Sequence, residues 1–227
     1  MRIFTEKLAQ VNKFLFCILP FLLIGCKDTP NIKNSIPAQE AIAAAYGFKN
    51  WNNVNELTFT FNVDRDTSHF ERTFIWEPKT NKVTYALKND TVSYLHTNAK
   101  DSIEIAADQR FINDKYWLLA PFQLLWDEGL IFSEKENEIA PISGETLNML
   151  TVTYPELGGY TPGDAYDFYY GKDFMIKEWV FREKNSATPT IAYTWEDTKD
   201  FNGMKLCTMH KDSTGTKKIY FTNLSVK

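Results

Sequence analysis

The sequence predicts a mainly β (α+β) fold: a curled antiparallel sheet forming a half-open β-barrel, with two or three helices on its concave side. Three observations carry this expectation. Apolar and polar residues alternate at period two through nine or ten short segments separated by polar turns, the pattern of antiparallel meanders. A dense apolar stretch of helical length, residues 116 to 126, interrupts the alternation in mid-chain. A short amphipathic segment precedes the first strand. Twist accumulates over that many strands, so the sheet must curl, and the two helical segments are natural fillers of its open side.

The elements follow in order. Ser35-Ile36-Pro37 opens a helix, with serine as cap and proline in the first turn; Ala38, Ile42, Ala45 and Tyr46 keep helical spacing, and Gly47 stops it. Leu57, Phe59, Phe61 and Val63 alternate with polar residues, then Phe70, Arg72, Phe74 and Trp76. A turn at residues 77–81 leads to Val83, Tyr85 and Leu87, and Asn89-Asp90 turns the chain to Val92, Tyr94 and His96. Ile103 and Ile105 read as one more short strand. Asn113-Asp114 is a candidate cap for the apolar segment, whose helix is expected to kink or break at Pro121 and to end at Gly129. The second meander comprises Leu150 to Tyr154, a long turn at residues 158–164, then Tyr166 to Tyr170 and Met175 to Phe181. Ile191 to Trp195, Met204 to His210 and Ile219 to Asn223 complete it, with Glu196-Asp197 read as a solvated strand end.

The first residues carry an address instead of a fold. Arg2, Lys7 and Lys13 precede an apolar run from Phe14 to Ile24, the length of a secretory h-region and short of the ~20 residues of a spanning helix. The run ends in Leu23-Ile24-Gly25-Cys26, which resembles the lipobox of bacterial lipoproteins. Residues 1–25 are therefore expected to be a lipoprotein signal peptide, and Cys26 to be acylated. Several acyl chains on one cysteine anchor firmly, at ~0.8 kcal/mol per buried CH₂. Residues 26–34 form the anchor and a flexible tether, and residues 35–227 a single domain.

Loss of the leader leaves 22 Lys and Arg against 28 Asp and Glu, a net charge of −6. That balance excludes nucleic acid as partner, since phosphate binding needs clustered positive charge. Of three cysteines only Cys207 remains free, within an alternating strand, where a small buried hydrophobe is the simplest reading.

Phe111 to Phe122 with Leu125-Trp126-Asp127 resembles a block of a bacterial lipoprotein family that has no assigned activity. Gly159 to Asp167 with Glu178 to Arg182, and Trp76 to Thr80, are similar to two further blocks, so the resemblance spans nearly the whole mature domain. It implies a shape similar to the Lol lipoprotein carriers, half-barrels whose concave face holds acyl chains. It transfers no residue role.

Chemistry is sparse. His69, His96 and His210 are far apart and lack zinc spacing, and nucleophile-elbow, P-loop and dinucleotide motifs are absent, so neither metal nor cofactor is expected. Ser143-Gly144 reads as a turn. Asp164 and Asp167 stand three apart beside a turn; a calcium or acid/base pair is one reading, and the plainer one makes Asp164 a turn cap and leaves Asp167 facing water. Arg72 interrupts an aromatic face formed by Phe70, Phe74 and Trp76. It turns inward to an anionic head group, snorkels from an edge, or pairs with Glu178. Trp117, Phe122 and Trp126 are candidates for a ligand cavity or for plain core, because both use the same side chains. Arg72, Phe74, Trp76, Trp117, Phe122 and Trp126 are thus the candidate ligand residues.

Together these point to a non-enzymatic, outer-membrane-anchored lipoprotein with a monomeric ectodomain, facing the periplasm or cell surface and binding a lipid or other hydrophobic ligand. The other reading is a structural or protein-interaction lipoprotein of the cell envelope with a filled core.

Overall fold

Polar turns bring each strand back beside the one before it, and the result is two curled antiparallel sheets around a central helix. The structure, a computed structural model, describes residues 36–87, 90–98, 101–157 and 161–227. The leader, Cys26, the tether, the Ser35 cap and parts of the turns at residues 88–89 and 158–160 lie outside the described residues.

The chain begins with helix α1 (Ala38–Ala45), followed by a short 3-10 segment. Strands β1 (Leu57–Arg65), β2 (Ser68–Glu77), β3 (Lys82–Leu87) and β4 (Asp90–Leu95) form the first meander. Helix α2 (Ser102–Trp126) crosses to the second, made of β5 (Ile131–Ile139), β6 (Thr146–Thr153), β7 (Ala165–Tyr170), β8 (Ile176–Arg182) and β9 (Ile191–Thr194). Strands β10 (Glu196–Phe201), β11 (Met204–Lys211) and β12 (Lys217–Val226) return to the first. The pairing order is β10-β11-β12-β1-β2-β3-β4 in a seven-stranded sheet and β5-β6-β7-β8-β9 in a five-stranded one, antiparallel throughout.

Only Trp195 separates β9 from β10, so one bent strand belongs to both sheets. The Trp195 amide continues the β8 ladder by donating to the Lys177 carbonyl at 2.8 Å. The Lys211 amide of β11 donates to Thr194 Oγ1 at 3.0 Å on the other side. Neither sheet closes; β4 and β5 are the outer edges. The mainly β, half-open architecture expected from the alternation is the one observed. Edge strand β5 is guarded by Glu134, Lys135, Glu136 and Glu138 and by a register shift between Lys135 and Glu138, devices that oppose pairing with a second chain.

The helix on the concave side differs from expectation in three ways. Ile103 and Ile105 are not a strand; they lie in the first turn of α2, 63% and 42% exposed. The cap is Asp101, whose carboxylate accepts the Ile103 and Glu104 amides at 2.9 and 2.8 Å, and not Asn113-Asp114. Pro121 does not break the helix, which runs on to Trp126. An interior proline costs about 3 kcal/mol; here residues 117 to 124 are all buried, and packing on every side holds the helix together.

The strand count also exceeds the nine or ten expected, with twelve assigned segments among the described residues. The unread ones, β5 and β10, are polar and exposed, so no buried face imposes alternation on them. Glu196-Asp197 accordingly opens β10 instead of ending a strand.

Helix α1 is pinned at a corner. Gly47 has φ +82°, and a Cβ there would stand 2.0 Å from the Gly203 carbonyl oxygen, a contact only glycine permits. Tyr46 ties the same corner to both sheets: its carbonyl accepts the Lys205 amide at 2.9 Å, and its hydroxyl accepts the Ile176 amide at 3.1 Å.

Candidate functional site

Helical spacing aligns Gln109, Ile112, Asn113, Tyr116, Gln123 and Asp127 on one face of α2 and its C-terminal cap. That face forms one wall of an open cleft of about 840 Å³. The facing wall comes from the five-stranded sheet. Trp179 and Phe181 are two apart on β8 and so share a face, and Tyr166 of β7 is the register partner of Phe181. The walls meet in aromatic contacts: Tyr116 to Tyr166 at 4.9 Å and Trp117 to Trp179 at 4.5 Å between ring centroids. Leu157, 89% exposed, and Ile191, 39% exposed, stand at the rim. The volume lies within the ~300–1,000 Å³ typical of small-ligand sites.

Polar side chains interleave with the aromatic ones in this lining, among them His96, Gln109, Asn113, Gln123, Asp127 and Glu128. Asp127 accepts the Tyr154 hydroxyl at 2.6 Å, which holds the end of α2 against the end of β6. His96 Nδ1 meets Asp108 Oδ1 at 2.6 Å. Two buried atoms of the lining, Gln123 Oε1 and Trp179 Nε1, have no hydrogen-bond partner among the described residues. Burial pushes the Tyr116, Tyr154 and Tyr166 phenols up, Tyr166 to about 12, so they stand as neutral hydroxyls at physiological pH.

The sequence candidates divide. Trp117 and Trp126 line the cleft. Phe122 is 1% exposed and packs against Phe48, Trp51 and Trp126 in the core, and Phe74 and Trp76 pack around Phe111 on the side of the seven-stranded sheet. Arg72 turns inward but meets α2: Nε pairs with Asp114 Oδ2, and Nη2 donates to Asp114 Oδ1 at 2.6 Å. Asn113 Nδ2 adds a third bond at 3.0 Å. Burial pushes the Asp114 carboxyl up, and the guanidinium opposes that shift. Glu178 is not its partner. Both Glu178 oxygens accept backbone amides, those of Ile142 and Ser143 at 2.7 Å each.

Asp167 does not face water. It is 6% exposed, accepts Thr151 Oγ1 at 2.6 Å and is gripped by Arg182, whose Nε lies 2.8 Å from Oδ2. Asp164 instead accepts the Lys184 amide at 2.8 Å. The two carboxylates thus serve separate structural partners. Among the described residues no group of His, Cys, Asp and Glu is arranged to hold a metal ion.

Cys207 and His210 approach each other, Sγ to Nδ1, at 3.9 Å. Burial pushes the thiol up and the imidazole down to about 4, the reverse of what a thiolate–imidazolium nucleophile needs. The His210 pKa lies below the ~6.5 of an unfolded histidine, so on acidification the unfolded chain takes the proton first. Stability is therefore expected to fall as pH drops from 6.5 towards 4, by about 2 kcal/mol over two units from this residue. Urea midpoints at pH 7.5, 5.5 and 4.5 check this, and His210→Gln flattens the slope. The exposed His69, held up chiefly by its hydrogen bond to Asp64, acts in the opposite direction.

Sequence reading missed Lys115. It lies four residues from both Phe111 and Leu119, each 0% exposed, and that i±4 spacing on the buried stripe is the signal that places it inside. It is 8% exposed and lines the cleft.

No family model matches the chain, and no curated protein matches it. Among solved structures the chain is similar to a LolA superfamily protein from Nitrosomonas europaea, with a TM-score of 0.47 and 9% identity over 85% of this chain and 94% of that one. It is similar to a DUF1329 family protein from Desulfovibrio piger, with a TM-score of 0.46 and 11% identity over 85% and 94%. A Vibrio parahaemolyticus domain, described as a candidate outer membrane lipoprotein-sorting protein, aligns with a TM-score of 0.43 and 9% identity over 84% and 93%. Likenesses of this degree bear on neither ligand nor partner.

Proposed function

We propose that this protein is a non-enzymatic, membrane-anchored lipoprotein of the cell envelope whose cleft takes up an acyl chain or other apolar ligand. The cleft carries the reading: about 840 Å³, walled by Tyr116, Trp117, Trp126, Tyr166, Trp179 and Phe181, and open at a rim that exposes Leu157 and Ile191. The aromatic part of this lining binds by removing hydrocarbon surface from water, at about 25 cal/mol per Å². An acyl chain presents such surface along its length. The lipobox reading of Cys26 supports the anchor and the envelope location.

The second reading, an interaction lipoprotein with a filled core, is favoured by the close aromatic packing of Phe59, Phe74, Trp76 and Phe111 between α2 and the seven-stranded sheet. Native mass spectrometry separates the two. The mature chain from residue 26, with Cys26→Ser and purified without detergent, is expected to carry a stoichiometric lipid or to bind added fatty acid one to one. A mass that stays at the apo value after incubation with fatty acids and phospholipids sinks the cleft reading and favours the filled core.

A further inference from the structure

The unusual group in the cleft is a charge. Lys115 is 8% exposed and has neither a hydrogen bond nor an ion pair to any described residue. Its Nζ sits where core and cleft meet, 5.2 Å from the Trp76 ring and 5.4 Å from that of Phe111. An ammonium largely withdrawn from water, with ring faces as its neighbours, is costly to keep charged, and an anionic partner in the cleft would offset that cost.

The surrounding carboxylates act on it only from a distance. Asp127 is turned to the Tyr154 hydroxyl and Asp108 to His96. Their fields favour the protonated lysine, while burial, the larger effect, lowers its pKa. Coulomb attraction falls with distance, so an anionic oxygen in direct contact with Nζ outweighs repulsion from carboxylates farther off and already hydrogen-bonded.

We propose that Lys115 is the head-group anchor of this cleft, and that its ligand is an anionic amphiphile with a carboxylate or phosphate oxygen on Nζ and its chain along the aromatic walls. The proposal rests on the cleft reading above and narrows it to an anionic head.

The test uses the delipidated mature chain with Cys26→Ser at pH 8, titrated below micelle-forming concentrations and followed by tryptophan fluorescence. Oleate, oleyl phosphate and oleyl alcohol share one chain and differ in head. The chain is expected to bind the better of the two anions about tenfold more tightly than the alcohol, the size of a charge-assisted hydrogen bond. Which anion binds more tightly tells a carboxylate source from a phosphate one. Lys115→Met keeps the approximate length of the side chain, removes its charge, and is expected to lose the preference for the anions over the alcohol. Equal affinity of wild type for alcohol and anions overturns the head-group role and leaves the cleft reading standing. So does a preference that survives in a Lys115→Met protein of unchanged near-UV circular dichroism. Binding of none of the three overturns both.

Discussion

Asp114→Ala is expected to lower the unfolding free energy by about 3–5 kcal/mol, read from urea or guanidinium melts at neutral pH. The carboxylate is fully buried on α2 and holds the Arg72 guanidinium of β2 through two bonds. Arg72 is itself only 14% exposed in its side chain and stacked near Phe61 and Phe70, at 5.4 and 5.1 Å. Deleting the carboxylate leaves a desolvated cation without its counterion, and that uncompensated charge, more than the lost bond, sets the magnitude. The pair Arg72→Met with Asp114→Leu separates the two causes: it removes both charges and is expected to recover most of the loss. A loss below about 1 kcal/mol in Asp114→Ala contradicts a strut between helix and sheet, because that is the scale of an exposed pair.

Phe122→Ala is expected to cost a similar amount, about 3–5 kcal/mol. The ring is 1% exposed and touches Phe48, Trp51 and Trp126, with centroids 5.9, 6.0 and 5.8 Å away. The helix cannot collapse into the space left, since the same turn carries Pro121 and is packed on every side. Phe122 is absent from the cleft lining, so one-to-one lipid uptake is expected to persist at temperatures where the variant stays folded. A variant that keeps its stability but loses ligand would move Phe122 from the core to the binding surface.

These expectations mark where sequence reading stops. Alternation reveals a strand only where one face is buried. It served for β1, where Leu57, Phe59 and Phe61 point to the core, and failed for β5, whose residues are almost all exposed. Ile103 and Ile105 mimic a strand over three residues. Asp101, one place ahead of Ser102, caps the helix instead, and neighbouring cap candidates compete through geometry that residue type does not specify. The partner of Arg72 lies 42 residues away across a helix–sheet contact, beyond any local pattern, and Glu178 was an equally plausible carboxylate by charge alone.

Local periodicity and punctuation are enough to specify a mainly β chain, a helix before the first strand with Gly47 at its corner, and an apolar helix in the middle. Tertiary structure decided how those pieces share space. Curling of the sheet surrounds Pro121 on all sides, so a helix that proline would interrupt in water continues. The bend at Trp195 carries the chain from one sheet to the other, and the face of α2 opposite strands β7 and β8 becomes a cleft. The same packing places Lys115 inside without a counterion among the described residues, because burial depends on which surfaces meet, and residues adjacent in sequence meet different ones.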